Sequence, residues 1–157
     1  MDKYIGTKLI EAEPAFRVSN EGEKPKIMTD FGEAKEYQVV DMGYRVRYAD
    51  GYESWSPADV FEEAYRPIDG MNFGLAIEAM KKGHKLCRRG WNGKGMFLYY
   101  VPEGRYPART DAAKSIAAED GKVDYGAYIA MKTVQGNVVP WLASQTDMLA
   151  EDWMVAG

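Results

Sequence analysis

Apolar and polar positions alternate strictly over residues 44–48, Tyr-Arg-Val-Arg-Tyr, and after Ala49-Asp50-Gly51 the chain resumes with Tyr52-Glu53-Ser54-Trp55. A period of two on both sides of a Gly-containing turn predicts a β-hairpin. Ser56-Pro57-Ala58-Asp59 follows. Ser56 as N-cap, Pro57 at the first helical position and an acid three residues after the cap predict a helix ending near Tyr65. Upstream, residues 4–16 alternate weakly and read as an edge strand, and residues 37–40 as a short strand. Residues 19–36 are rich in Glu, Lys, Gly and Pro with few apolar side chains, and read as a mobile loop.

The period changes after the linker Pro67-Ile68-Asp69-Gly70. Phe73, Ala76, Ile77 and Met80 fall at i, i+3, i+4 and i+7, one face of a helix. Asn72 caps its start and Gly83 its end, after Lys81-Lys82. Residues 85–89 and 96–101 read as strands, 111–119 as a helix capped by Thr110 or Asp111, and 128–134 with 137–142 as a hairpin around Gln135-Gly136. Ser144 opens a last helical turn through Asp147, and residues 153–155 form a terminal strand. The expected fold is α+β: antiparallel sheets with a few short helices. A small N-terminal β-hairpin/helix module over residues 1–68 joins a second domain over residues 69–157, without internal repeats.

Composition narrows the chemistry. At 157 residues and 46% hydrophobic, the chain suits one domain or two small ones. No apolar run approaches the ~20 residues of a membrane span. Met1-Asp2-Lys3-Tyr4-Ile5-Gly6 lacks the basic and apolar regions of a signal peptide. A single cysteine, Cys87, excludes an internal disulfide and fits a reducing cytoplasm; within its strand it reads as a small buried hydrophobe. A single histidine, His84, leaves too few ligands for a His/Cys zinc site, and a Ser-His-Asp triad would depend on it alone. Its place at a helix C-terminus suits a solvated imidazole. The net charge of −4 is uneven: residues 1–70 hold 9 Lys+Arg against 15 Asp+Glu, and residues 71–157 hold 11 against 9. Such a chain is a poor non-specific binder of DNA or RNA, yet its second half can attract a small anion.

Candidate chemistry concentrates in Arg88-Arg89-Gly90-Trp91-Asn92-Gly93-Lys94-Gly95-Met96. Glycines let backbone N–H groups approach an anion, Arg and Lys supply phosphate-directed donors, and an indole stacks on a base. A nucleotide-like ligand fits this combination. The same residues also make a plain hairpin, since Asn92-Gly93 suits a type I′ loop and Arg or Lys discourages edge pairing. Arg88 and Arg89 alternate across a strand, so at most one faces a pocket; likewise Tyr99 and Tyr100 point to opposite faces. Arg105, Arg109 and Thr110, before a helix start, form a second candidate anion site or an ordinary capped helix with two solvated arginines. Pro140-Trp141-Leu142-Ala143-Ser144-Gln145-Thr146-Asp147 offers Gln145 and Asp147 for hydroxyl or base-edge hydrogen bonds, or simply a Ser144/Asp147 cap over a packed Trp141. No nucleophile or metal cluster stands out.

Met71-Asn72-Phe73-Gly74 with Ala76-Ile77-Glu78-Ala79, then Gly90-Trp91-Asn92-Gly93-Lys94-Gly95-Met96, then Pro140-Trp141-Leu142-Ala143-Ser144-Gln145 with Asp147 resemble the second Thoeris anti-defence family of phages. The resemblance covers residues 71–157. Residues 48–65, with Asp50-Gly51-Tyr52-Glu53-Ser54-Trp55-Ser56-Pro57, resemble an accessory segment at the front of assorted phage proteins. The family resemblance implies a sponge: a homotetramer in the bacterial host cytoplasm that binds cyclic ADP-ribose-type signals of TIR-domain immune enzymes without cleaving them. It implies no cofactor, no metal and no catalytic residue. Some members also take up cyclic dinucleotides at a separate site, for which Arg105, Arg109 and Thr110 are the candidates. In the main site Trp91 would stack on a base, and Asn92 and the Gly93–Gly95 backbone would hold phosphate or ribose. Arg88, Arg89 or Lys94 would balance charge, while Trp141, Ser144, Gln145 and Asp147 would complete the pocket. The alternatives are a metal-dependent nucleotide hydrolase using Asp147 or Asp152, and a module that binds a host protein through exposed aromatics.

Overall fold

The computed structural model describes every residue except Tyr4, and the chain folds as two compact units, Met1–Arg66 and Pro67–Gly157. Its architecture is α+β, mostly antiparallel strands with short helices.

The first unit contains β1 (Glu11–Ser19), β2 (Lys26–Met28), α1 (Phe31–Ala34), β3 (Val39–Arg47), β4 (Glu53–Pro57) and α2 (Ala58–Ala64). Its antiparallel sheet runs in the order β2-β1-β3-β4. The expected edge strand over residues 4–16 is corrected here: β1 begins at Glu11 and pairs with β3 along its full length, while β2 covers Phe16 to Val18 on its other side. Tyr4 lies outside the described residues. Residues 37–40 and 44–48 are not separate strands, because β3 runs through Gly43. The 19–36 segment is not a featureless loop. Asp30 accepts a hydrogen bond from the Glu33 N–H and caps α1, Phe31 packs its ring 5.3 Å from Phe16, and Ala34 is fully buried. Few apolar residues suffice there because Met28 pairs in register with Phe16 and Phe31 packs on the same ring.

The turn at Gly51 (φ +84°) joins β3 to β4, with Arg47 opposite Glu53 and Val46 opposite Ser54. The helix start differs from expectation by one residue. Ser56 is still in β4, Pro57 is the N-cap without a side-chain cap bond, and Tyr65 closes the helix. On one face, Phe61 of α2 stacks on Tyr44 at 4.1 Å. On the other, Trp55 lies over Gly43, and the Arg17 guanidinium covers the indole at 4.4 Å.

The second unit contains α3 (Phe73–Lys81), β5 (Leu86–Arg88), β6 (Phe97–Val101), β7 (Gly104–Pro107), α4 (Asp111–Ser115), β8 (Lys122–Tyr125), β9 (Tyr128–Lys132), β10 (Val138–Pro140), α5 (Gln145–Met148) and β11 (Trp153–Val155). Five strands form an antiparallel sheet in the order β10-β9-β6-β5-β11, and β7-β8 make a separate two-stranded ladder. The helical period of residues 73–80 acts as expected: Ala76 and Met80 are buried with Leu86, Leu98, Met71 and Trp153, and Asn72 Oδ1 accepts the Leu75 N–H at 2.9 Å. Gly83 leaves the helix at φ +95°. The helix over residues 111–119 is shorter, stopping at Ser115, after which Gly121 (φ +73°) turns the chain into β8.

The C-terminal strand closes the unit. Trp153 exchanges both backbone hydrogen bonds with Met71 (2.8 and 3.1 Å), and β11 pairs antiparallel with β5. Trp153 is fully buried, and burial of a side chain that large contributes several kcal/mol to this unit.

A Cβ at Gly43 would lie 2.7 Å from two atoms of the Trp55 ring and closer still to the Ser56 carbonyl. Gly43→Ala is therefore expected to destabilise the first unit by about 1–3 kcal/mol through overpacking. Urea unfolding of the full chain, followed by hydrogen exchange of the Val46 amide, tests this; an unchanged midpoint would show that Trp55 repacks freely.

Candidate functional site

Three separate sequence stretches meet at one corner of the second unit. The strand β5 ends at Arg88, the Gly-rich loop follows, and α5 and β11 arrive from the other end of the sequence. Arg88 joins them. Its Nε donates to Asp152 Oδ1 at 2.8 Å and its Nη1 to Asp147 Oδ1 at 2.9 Å. The Arg88 and Asp147 side chains are each 15% exposed and Asp152 29%. Asp152 Oδ2 also accepts the Gly90 N–H at 2.8 Å, and the Asp152 carbonyl accepts the Arg89 N–H. Asp147 Oδ2 accepts from the Ser144 N–H (3.1 Å) and hydroxyl (2.7 Å), which completes a capping box on α5. One guanidinium thus fixes the loop to both the helix and the last strand.

Aromatic rings fill the space beside this clamp. Trp153 lies at the centre, with Trp91 at 5.5 Å and Trp141 at 6.0 Å in edge-on contacts and Phe73 at 5.4 Å. Trp91 and Trp141 are themselves 6.4 Å apart, edge to face. Such edge-on pairs suit the ring quadrupoles. The Trp153 indole N–H donates to the Asp147 carbonyl at 3.0 Å, and the Trp91 indole N–H points at Asp147 Oδ1 over a long 3.4 Å. Trp91 and Trp141 remain partly exposed.

The loop itself is not a type I′ turn. That turn needs φ > 0 at both central residues, whereas only Gly95 in this loop has positive φ (+76°). Strands β5 and β6 share only the Leu86–Leu98 pair, so the intervening residues form a wide loop and not a tight hairpin. Gly93 is needed for closeness instead: a Cβ there would sit 2.7 Å from the Met96 sulfur and 2.8 Å from Val134. The Lys132 ammonium donates to the Gly95 carbonyl at 3.1 Å and ties the loop's far end to β9. Nor are the flanking cations free edge charges. Arg88 is enclosed by carboxylates, and Arg89 points the other way and donates to the Asp69 carbonyl at 2.6 Å.

The structure brings together Arg88, Trp91, Trp141, Ser144 and Asp147. Asn92, Lys94 and Gln145 are exposed near them in sequence, and Gly93 is half-buried. The Arg105, Arg109 and Thr110 group lies elsewhere in the unit, on the β7-β8 ladder and α4. Arg105 is balanced by Asp120 (3.2 Å) and Asp124 (2.7 Å), and Thr110 caps α4 by accepting the Ala113 N–H. With only five residues, α4 offers a weak dipole to an anion. Sequence reasoning missed Trp153 and Phe73 as parts of the corner, and named Asp152 only as an acid of the hydrolase alternative. An acid directly before a tryptophan in the last strand was the available signal. Among the described residues, no cluster of three or more His, Cys, Asp or Glu is arranged to hold a metal ion, and no helix is long and apolar enough to cross a membrane.

Fold and site together define a small α+β domain in which a Gly-rich loop, a capped helical turn and an aromatic cluster share one clamped corner. Residues 71–156 match the Tad2-like family, the Thoeris anti-defense 2-like domain, and the chain belongs to that family. It is 37% identical over 83 residues to "Thoeris anti-defense 2" of Bacillus phage SP01, a match covering 53% of this chain and 91% of that protein. This membership supports a phage anti-defence role.

Burial pushes the Asp147 carboxyl up, but hydrogen bonds from Ser144 and Arg88 outweigh it and hold the group below the ordinary aspartate value of 3.8. For Asp152 burial acts in the same way and is outweighed by Arg88 and the Gly90 N–H. Groups depressed in the folded state stabilise it fully above their unfolded pKa and lose that contribution as pH falls through the folded value. The urea midpoint of the second unit should therefore fall as pH drops below the ordinary aspartate value of 3.8, and fall less steeply in Asp152→Asn. Equal slopes for the two proteins would show that Asp152 is not held in this way.

Proposed function

We propose that the second unit binds a cyclic ADP-ribose-type nucleotide signal of a TIR-domain immune enzyme and sequesters it without cleavage. The observation that carries this reading is the convergence of Trp91 and its Gly-rich loop with Trp141 and α5 on one corner, in a chain of the anti-defence family. The exposed rims of Trp91 and Trp141 supply stacking faces for a base. Asn92, the Gly93–Gly95 backbone and Lys94 supply donors for phosphate and ribose, while Arg89, turned away towards Asp69, is left out of the site. Gln145 stands exposed at the start of α5 to meet hydroxyls or a base edge, beside Ser144, whose hydroxyl is taken up by the Asp147 cap.

Both carboxylates at the corner are committed to Arg88 and to N–H or O–H donors, which suits affinity better than turnover. A sponge must hold its signal below the level that triggers the host effector, which calls for a Kd near nanomolar, about −12 kcal/mol. The protein would act in the bacterial host cytoplasm. We further read the assembly as a homotetramer: Leu142 (91% exposed) and Leu149 (78%) flank α5 as large apolar side chains open to solvent. Scattering-derived mass in solution tests that, and a monomer at micromolar concentration would end it.

Calorimetric titration with glycocyclic ADP-ribose, then heat release and chromatography of the ligand, tests the main reading. Tight binding with intact ligand recovered is the expected result. A cleaved product would favour the hydrolase reading, and no heat would remove the signal from the site. Trp91→Ala should weaken binding by about 1–3 kcal/mol, the usual worth of one base-stacking ring, while unfolding stays cooperative. Unchanged affinity in that variant would take Trp91 out of the pocket.

A further inference from the structure

We infer that Arg88 and Asp152 are positioning residues of this site: the guanidinium does not meet the ligand's phosphates but, with Asp152 and Asp147, holds the Trp91 loop in its binding shape. The inference rests on the signal-binding reading above for its ligand, and on the clamp geometry for everything else. Arg88 reaches two carboxylates with two different nitrogens, Nε to Asp152 and Nη1 to Asp147. One positive charge between two negative ones leaves the group at net −1, so an incoming phosphate gains no net attraction there.

Each carboxylate also splits its two oxygens between Arg88 and a second partner. Asp152 gives Oδ1 to Arg88 and Oδ2 to the Gly90 N–H, two bonds that fix the backbone immediately before Trp91. A Cβ at Gly90 would lie 2.9 Å from Asp152 Oδ2, so a side chain there would push the carboxylate off its bonds. Asp147 gives Oδ1 to Arg88, beneath the Trp91 indole N–H, and Oδ2 to the Ser144 cap. The position of Trp91 is thus set from both sides by a guanidinium whose planar fork spans the gap. Lysine, with a single nitrogen at its tip, cannot hold both acids in these directions.

The two roles open to Arg88 predict opposite signs for one conservative change. Asp152→Asn keeps the volume and one oxygen acceptor but removes a negative charge. If Arg88 were a phosphate donor, that change would free it and tighten binding of an anion. As a positioning group it loses its hold on the loop, and affinity should fall by on the order of tenfold. The dependence of affinity on salt should stay as in the wild type, because no phosphate contact is lost.

The experiment is calorimetric titration of glycocyclic ADP-ribose into wild-type and Asp152→Asn full chain at two salt concentrations, beside hydrogen exchange of both proteins without ligand. Support requires weaker binding with an unchanged salt slope, and faster exchange at the Gly90 amide and Trp91 indole N–H. The Leu98 and Ala130 amides should stay protected, which separates local loosening from a failure to fold. Equal or tighter binding in Asp152→Asn, or unchanged exchange at Gly90 and Trp91, overturns the inference. If the wild type binds no signal, the ligand reading and this site's role in it both fail, while the exchange still decides whether the clamp holds the loop.

Discussion

A guanidinium shared between two carboxylates organises the second unit. Arg88 ends β5, Asp147 belongs to α5 and Asp152 precedes β11, so removing Arg88 leaves two uncompensated carboxylates in a mostly enclosed corner, and removing either aspartate leaves part of the guanidinium without its acceptor. Breaking a buried pair from one side is far more costly than the pair is worth in place. The aromatic cluster depends on this arrangement. Trp153 is oriented by the carbonyl of the same Asp147 that receives Arg88, and Trp91 and Trp141 lean on Trp153. Electrostatics sets the directions here and apolar burial supplies the bulk of the energy.

The local signals in the sequence were strong where a cap or a strict period fixed an element. Asn72, Thr110 and Ser144 all accept the N–H bonds that their positions implied. The period of residues 73–80 gave the buried face of α3, and alternation over residues 44–48 gave part of β3. Elements whose stability comes from partners distant in sequence were harder to see. The β7-β8 ladder pairs a Pro-containing strand with a short one, and β2 and α1 lie in a polar stretch where Ala34 is the one fully buried residue. Local composition does not report such pairings.

The same limit applies to the site. Trp91, Trp141, Ser144 and Asp147 were visible as chemistry-bearing residues, and the resemblance to the anti-defence family grouped them. The role of Arg88 was not visible, because its two partners lie 59 and 64 residues away. An arginine beside glycines reads as a phosphate donor until its carboxylates are located. Asn92-Gly93 likewise reads as a tight turn until the sparse pairing of β5 with β6 shows that the loop spans a wider gap.

The pairing of β11 with β5 and of Trp153 with Met71 has a consequence for synthesis on the ribosome. Every strand pairing of the first unit's sheet is made within Glu11–Pro57, so that sheet can assemble while the rest of the chain is still being made. The second unit cannot finish in that way. Its central tryptophan follows α3, β5 and the Gly-rich loop in the chain, and these must wait for it with their apolar faces uncovered. Long-range closure of this kind slows folding and lengthens exposure to aggregation. The pace of synthesis between Met71 and Trp153 and the supply of chaperones would then govern how much working protein accumulates, independently of its final stability.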